Sequence, residues 1–309
     1  MEVRIDMHVH LLEKNVKAKD VWSYAEEKRL NGLAITEHSE YSPEKAYELL
    51  LEEKPENMLL IAGAELNTNI GHVLIYHHNE ELYYCEELFK PFVDVKDVID
   101  IAKKKKFIVS IAHPFGFSYD SAGFIIKEKG LCELVKKGIG IEAYNGLIGS
   151  VYELLLDSRV IAKPIRVFER LEKSKIANKL FLGKIASFTK KKFDNRTIKY
   201  LDGFIKTEEL AERAKFVTAG SDAHYANKVG SGLVAIKMRK KKTEKKFLKE
   251  LIEAKRKNRL LWSGPNFEEE GNILKRESIK ISKKEFAAGI KYALLQLIKE
   301  KISKIKKKK

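Results

Sequence analysis

Short apolar runs rich in Val, Ile and Leu alternate with amphipathic stretches along most of the chain. Val3-Arg4-Ile5-Asp6-Met7, Gly32-Leu33-Ala34-Ile35-Thr36 and Leu59 to Ala64 each predict a strand, as do Phe107 to Ala112, Gly140-Ile141 and Phe216 to Ser221. Helix signals fall between them. Ser42-Pro43-Glu44 supplies a cap, a first-position proline and a first-turn acid. Asp97 to Lys106 sets Val98, Ile99 and Ala102 on one face and closes on four lysines that suit the negative end of the helix dipole. Thr207 is placed as the cap of a helix over Glu208 to Lys215. Such alternation predicts a mostly parallel sheet or barrel.

The alternation breaks between about Val151 and Lys206, where no strand ends in a metal-ligand residue, and this stretch reads as a helical insertion. After the run Gly232 to Ile236, a helix from Thr243 to Lys257 presents Phe247, Leu248, Leu251 and Ile252. A final helix presents Phe286, Ile290, Leu294, Leu297 and Ile298. Both are basic, and no internal repeat is present.

The strand runs share a second property: each ends on a histidine or carboxylate. His8 and His10 follow the first, Glu37 and His38 the second, Glu65 the third, His113 the fourth, Glu142 the fifth, and Asp222 and His224 the sixth. Neighbouring strand ends converge on one face of barrels and open α/β sheets, so these side chains are candidates for one site.

Composition narrows the classes. The chain has 309 residues, is 44% hydrophobic and 34% charged, and contains 18 Gly and 6 Pro, which excludes collagen-like and wholly disordered chains. Length allows a catalytic domain of ~250 residues with additions. No apolar run approaches a membrane span, and Glu2, Arg4 and Asp6 replace a signal peptide, so a cytoplasmic location is expected. Cys85 and Cys132 make neither a disulfide scaffold nor a zinc ribbon. Abundant Lys and Glu with few Cys and Met resemble heat-adapted compositions.

The net charge of +16 is unevenly distributed. Arg159 to Lys206 carries 14 Lys/Arg against 4 Asp/Glu, and Lys237 to Lys309 carries 25 against 9, which leaves −10 on a body holding all eight histidines. The basic stretches are solvated helical faces or, in the sharper reading, attract a polyanion such as nucleic acid. Phe181, Phe188, Phe193, Tyr200 and Phe204 interleave with the lysines as base stacking requires, and core packing explains them equally well. The final helix, ending in Lys306 to Lys309, could also lie on an anionic membrane surface.

Six histidines (His8, His10, His38, His72, His113 and His224) lie at strand-like runs, and Glu65 and Asp222 add carboxylates. Mixed His and carboxylate donors suit Zn, Mn or Fe, and eight donors exceed the needs of one ion, so two or three divalent ions are implied. Clustered ions serve hydrolysis, above all displacement at phosphorus.

The motifs Asp6-Met7-His8-Val9-His10, Ile35-Thr36-Glu37-His38, Gly63-Ala64-Glu65, Gly71-His72-Val73, Ala112-His113-Pro114, Ile141-Glu142-Ala143-Tyr144-Asn145 and Gly220-Ser221-Asp222-Ala223-His224 resemble, in order, the PHP (polymerase and histidinol phosphatase) family of metal-dependent phosphoesterases. The resemblance covers residues 1–150 and 207–236, with a weaker echo to Phe267. It implies an α/β fold, a distorted (β/α)7 TIM-like barrel, with a trinuclear site. His8, His10, Glu65 and Asp222 would hold the first metal. Glu65 would bridge to a second held by His72 and His113, and His38 and His224 would hold a third. Two positions depart from the pattern. The family usually supplies another third-metal ligand five or six residues after the second histidine, where this chain has Asn15 and Val16, so Glu13 or Glu40 substitutes or the site is weak or empty. Glu37 stands where Asp is usual and is read as a supporting residue.

Glu142 and Asn145 are expected to orient ligands. His77 and His78 fit no motif and are expected to face solvent or to support the ligands. Ser221 lacks a free histidine base and is not a nucleophile. The resulting expectation is a hydrolase acting on a phosphate ester by a metal-activated hydroxide, with Asp222 and Glu65 catalytic and a nucleotide or nucleic acid as substrate. A non-catalytic, metal-scaffolded binding module and a small-metabolite phosphatase of the histidinol-phosphatase type are the alternatives. The expected boundaries are a catalytic barrel over 1–150 and 207–267, the insertion over 151–206 and a basic extension over 268–309. Oligomeric state is left open.

Overall fold

The computed structural model describes residues 1–117, 119–156, 202–239, 242–270 and 273–276. The central part of the insertion, the aromatics Phe181, Phe188, Phe193 and Tyr200, the final helix and Lys306 to Lys309 lie outside them. Met1–Arg276 forms one compact unit.

Among the described residues, nine strands make one mixed sheet: β1 (Glu2–Val9), β2 (Gly32–Ile35), β3 (Leu59–Thr68), β4 (Gly71–His77), β5 (Ile108–Ile111), β6 (Gly140–Asn145), β7 (Val217–Gly220), β8 (Gly232–Lys237) and β9 (Leu260–Pro265). Their order is β7-β6-β5-β4-β3-β2-β1-β8-β9. A separate hairpin joins β10 (Phe267–Glu270) to β11 (Ile273–Arg276). The intervening helices are α1 (Ala18–Glu27), α2 (Pro43–Glu52), α3 (Val95–Lys105), α4 (Ala122–Ile125), α5 (Lys127–Lys136), α6 (Gly146–Leu156), α7 (202–213) and α8 (Glu244–Ala254).

The seven-stranded (β/α)7 barrel expected from the family resemblance is not what this sheet forms. β1–β2–β3 and β5–β6–β7 are parallel, but β4 runs antiparallel to both its neighbours, and β8 and β9 add antiparallel strands beyond β1. The periodicity missed β4 because a tight connection at Asn69-Ile70 turns β3 straight back, leaving no helix to mark the crossover. Closure is nearly complete. The chain leaving β7 joins the end of β1 through a Val9–Ala223 bridge, with Asp222 N donating to His8 O at 2.7 Å and His10 N to Ala223 O at 3.0 Å.

Two apolar layers flank the sheet. The outer one packs Val9, Leu33, Ile35, Leu60, Val73 and Ile111 against residues of α1, α2, α3 and α5. The inner one, to which α1–α5 contribute nothing, is lined by Val3, Ile5, Met7, Ile61, Leu74, Tyr76 and Ile236, and includes Phe247, Leu248 and Leu251 of α8. Phe204, considered above for base stacking, packs against this inner layer.

Two helix starts differ from the periodicity. α3 begins earlier, at Val95, because Asp94 caps it by accepting from Lys96 N at 2.8 Å. Thr207 is not a cap: α7 is already under way at residue 202, and the Thr207 hydroxyl donates back to Gly203 O at 2.9 Å. Thr243 does cap α8, accepting from Lys246 N at 3.3 Å. Among the described residues no helix is long and apolar enough to cross a membrane.

Candidate metal centre

β1 carries one extra residue between Asp6 and Val9 relative to β2, and this bulge resets the alternation of the strand. Val3, Ile5 and Met7 point to the inner layer, whereas Val9 and Leu11 point to the outer one. His8 and His10 are thereby turned to the inner side. Glu65 of β3 shares that side because its neighbours Ala64 and Leu66 pack outward. His72 opens β4, which pairs antiparallel with β3, so the start of one strand lies beside the end of the other. His38, His113, Asp222 and His224 lie just past the ends of β2, β5 and β7. His113 and Asp222 both take positive φ, 23° and 54°, a sharp turn that follows each strand directly.

All eight predicted donors meet. His8 Nε2 is 3.1 Å from His10 Nε2, 3.5 Å from Glu65 Oε2 and 3.6 Å from Asp222 Oδ1. His10 Nε2 is 3.5 Å from the same Glu65 oxygen and 3.2 Å from Asp222 Oδ1. The other carboxylate oxygen, Glu65 Oε1, faces His72 Nδ1 at 2.9 Å and His113 Nε2 at 3.0 Å. His38 Nδ1 lies 3.1 Å from Glu65 Oε2. Among the described residues, three groups have donor atoms mutually within 4.8 Å: His8–His10–Glu65, His38–Glu65–His72 and His10–His38–His224.

Partners behind the histidines fix how the rings are presented. Glu142 Oε1 accepts from His8 Nδ1 at 2.8 Å, Ser121 Oγ lies 3.1 Å from His113 Nδ1, and the Asp222 carbonyl accepts from His224 Nδ1 at 3.0 Å. In each case the opposite nitrogen, Nε2, is left to the cluster. Glu142 Oε2 also accepts from His113 N at 2.6 Å and Asn145 Nδ2 at 3.2 Å, while Asn145 Nδ2 bonds Asp222 Oδ2 at 3.1 Å. Glu142 and Asn145 thus orient the donors, as expected.

The electrostatics follow from so many facing groups. Burial would raise the Glu65 and Asp222 carboxyls, yet surrounding imidazoles hold both well below the usual carboxylate range. Burial likewise opposes charge on His10 and His113, but hydrogen bonds that His10 donates to Asp222 and Glu37 lift it to about 9, and Glu65 and Asp120 lift His113 to about 10. His38, buried among other imidazoles, falls to about 4.

Asp6 and Ser121 support the donors without a role assigned from the sequence. Asp6 is fully buried and accepts from His8 N, Ser221 N and Gly230 N at 3.2, 2.9 and 2.8 Å, which ties β1 to the chain after β7. Ser121 follows His113 by eight residues of loop. Glu37 supports as expected: its carboxylate accepts from Leu11 N and Leu12 N and lies 3.4 Å from His10 Nδ1. Glu40 accepts from the Asn67 amide and the Ser39 hydroxyl. His77 does not face solvent: it is 7% exposed, at the end of β4 away from His72, edge-on to Phe107.

Residues 207–255, which include Asp222 and His224, match the PHP-associated family. No curated protein matches the chain significantly. Among solved structures, this chain is similar to PsfC from Pseudomonas syringae PB-5123, at 17% identity and a TM-score of 0.49, over 80% of this chain and 87% of that one. It is also similar to a protein from Bifidobacterium adolescentis ATCC 15703 described as a candidate metal-dependent phosphoesterase, at 12% identity and a TM-score of 0.37, over 46% and 77% of the two chains.

Proposed function

We propose that this chain is a PHP-type phosphoesterase that hydrolyses a phosphate ester with two or three bound divalent cations. The observation that carries the reading is donor spacing. Ligands held ~2.1 Å from one ion lie roughly 3.0–3.4 Å apart, and five separations among His8, His10, Glu65 and Asp222 span 3.1 to 3.6 Å. The donor set is mixed imidazole and carboxylate, which suits Mn, Zn or Fe. His8, His10, Glu65 and Asp222 would hold the first cation; Glu65, through Oε1, would share a second with His72 and His113; His38 and His224 face a third position.

When bound, such cations lower the pKa of water and offset charge developing on the phosphoryl oxygens. The chain's own residues do the rest. Glu142 keeps His8 Nδ1 protonated and its Nε2 directed inward. Asn145 holds Asp222 Oδ2, leaving Oδ1 toward His8 and His10, so Asp222 can take up a proton at Oδ2 without leaving its place. The cluster sits where the barrel-like sheet ends, open to an incoming ester at His38, His72 and His224, which are less buried than His8 and His10.

A nucleotide or nucleic acid is the favoured substrate, on the strength of the two basic stretches in a chain of net charge +16. The reading is tested with the purified full chain in Mn²⁺ against a phosphomonoester and a phosphodiester, with and without chelator, alongside metal analysis. Turnover abolished by chelation and two or more metals per chain are expected. Fewer than two metals, with salt-sensitive nucleic-acid binding and no turnover, would replace the hydrolase by a metal-scaffolded binding module.

A further inference from the structure

Two tyrosines and a lysine stand at the open side of the cluster and take no part in it. Tyr41 closes the short turn Ser39–Tyr41 after His38, its N–H bonding His38 O at 2.9 Å and its ring centroid 6.3 Å from that of His38. Tyr225 follows His224 directly, and its carbonyl is held by Lys228 N at 2.9 Å. Both tyrosines are exposed, 47% and 44%, although they adjoin histidines of a cluster in which His8 and His10 are sealed. One exposed aromatic residue is ordinary on a protein surface; two beside a single mouth, within reach of the same cation, are surface available to a ligand.

That cation is Lys14, and Glu13 brings it there. Glu13 Oε2 makes an ion pair with His224 Nε2 at 2.7 Å and lies 3.6 Å from His38 Nε2, while Glu13 Oε1 takes the Lys14 ammonium. The ammonium thus stands one carboxylate away from His38 and His224, with 41% of its side chain exposed. The turn that carries it is tight, since Val16 N bonds Leu11 O at 2.8 Å and Asn15 N bonds Leu12 O at 3.1 Å. Burial works against the Lys14 charge, but Glu13 and then the Tyr225 and Tyr41 phenols hold it above its ordinary range, so both rings are within electrostatic reach of it. An ammonium has three donors, and the Glu13 bond uses one.

These groups supply what the cluster donors lack. Metal ligands hold a phosphoryl group and recognise nothing else of an ester. A cation beside them adds a charge-assisted bond to a phosphoryl oxygen, and exposed phenol rings offer faces on which a planar base stacks. A sugar phosphate would use the cation and leave the rings idle.

We propose that Lys14, Tyr41 and Tyr225 form a recognition rim in which Lys14 bonds an oxygen of the bound phosphoryl group and the tyrosine rings receive a nucleobase, so that the site selects a nucleotide over a phosphate ester with no aromatic ring. The proposal rests on the reading of the cluster as a phosphate-binding centre, and its test needs no turnover.

Binding is measured by calorimetry on the Mn²⁺-loaded full chain with two phosphonates, the analogues of guanosine 5′-monophosphate and of ribose 5-phosphate, whose P–C bond resists hydrolysis. The guanosine analogue is expected to bind about tenfold or more tightly than the ribose analogue. The double variant Tyr41→Leu/Tyr225→Leu should bind the two alike, and Lys14→Gln should weaken both while keeping the preference. Equal binding of the two by wild type, no binding of either, or a preference that survives in the double variant overturns the role of the rings. Unchanged binding in Lys14→Gln overturns that of the lysine. Should the double variant not fold, nitration of wild type with tetranitromethane, read by peptide mass spectrometry, decides the same point. Protection of Tyr41 and Tyr225 by the guanosine analogue alone supports the rim, and nitration indifferent to it sinks the rim. Ester turnover without any ring preference defeats this proposal and leaves the phosphoesterase reading standing; ring-selective binding in a chain that turns over no ester does the reverse.

Discussion

Glu142 Oε1 stands 2.8 Å from His8 Nδ1, and the second oxygen of the same carboxylate receives the backbone N–H of His113 at 2.6 Å. One buried acid on β6 therefore positions donors from β1 and from the end of β5. Glu142→Ala removes both restraints while leaving all eight donors in the chain. Metal affinity should fall about 10–100-fold. Competition with a chelator of known affinity measures it, and an unchanged affinity would show that Glu142 does not hold the ligands.

Asp222→Asn keeps the side-chain size and suits the same backbone, since Asn tolerates the positive φ of this position as Asp does. It removes the charge that faces His8 and His10 and the group assigned to the proton. Phosphoester turnover should drop at least about 100-fold with little change in unfolding temperature. Retained turnover would refute the assigned role of Asp222.

The pH dependence has a definite sign. In the metal-free chain, His10 and His113 are raised to about 9 and about 10 from the ordinary 6.5, against burial, by their carboxylate partners. Their ion pairs stabilise the metal-free fold fully below about 6.5 and are lost as pH rises through about 9 to 10. Metals need the unprotonated rings, so loading at neutral pH should release protons, and affinity should climb with pH over the same interval. Calorimetry in buffers of different ionisation enthalpy reports the proton count; metal uptake without proton release would contradict it.

Gly220 closes the barrel. A β carbon there would fall 2.3 Å from His8 Cβ and 2.4 Å from His8 N, against β1 where the metal cluster begins. Gly220→Ala must push β7 off β1, and we expect a loss of about 1–3 kcal/mol in denaturant unfolding, together with weaker metal binding. Gly138, where nothing lies within 4 Å of a β carbon, meets no such clash but sits at φ 89°, so Gly138→Ala should leave metal binding unchanged and cost only local backbone strain.

Much of this was legible in order along the chain. The apolar runs located β1, β2, β3, β5, β6, β7 and β8, and every donor except His72 lay at the end of one of these runs, because a strand must finish its hydrophobic stretch where the sheet meets solvent. β4 and β9 were not found. The β3–β4 connection and the β8–β9 pairing are antiparallel and set by partners rather than by a local period.

The sequence by itself determined which residues have the right chemistry: six histidines and two carboxylates at strand-like runs, and the lysine-rich stretches outside them. Tertiary structure decided the geometry among them. The bulge between Asp6 and Val9 turned His8 and His10 inward, the reversal into β4 put His72 beside Glu65, and the turn after Leu12 set Glu13 Oε2 2.7 Å from His224 Nε2. Donor types are local properties of side chains, whereas a bulge, an antiparallel return and a loop's facing depend on which strands lie alongside, and that information is spread over the whole chain.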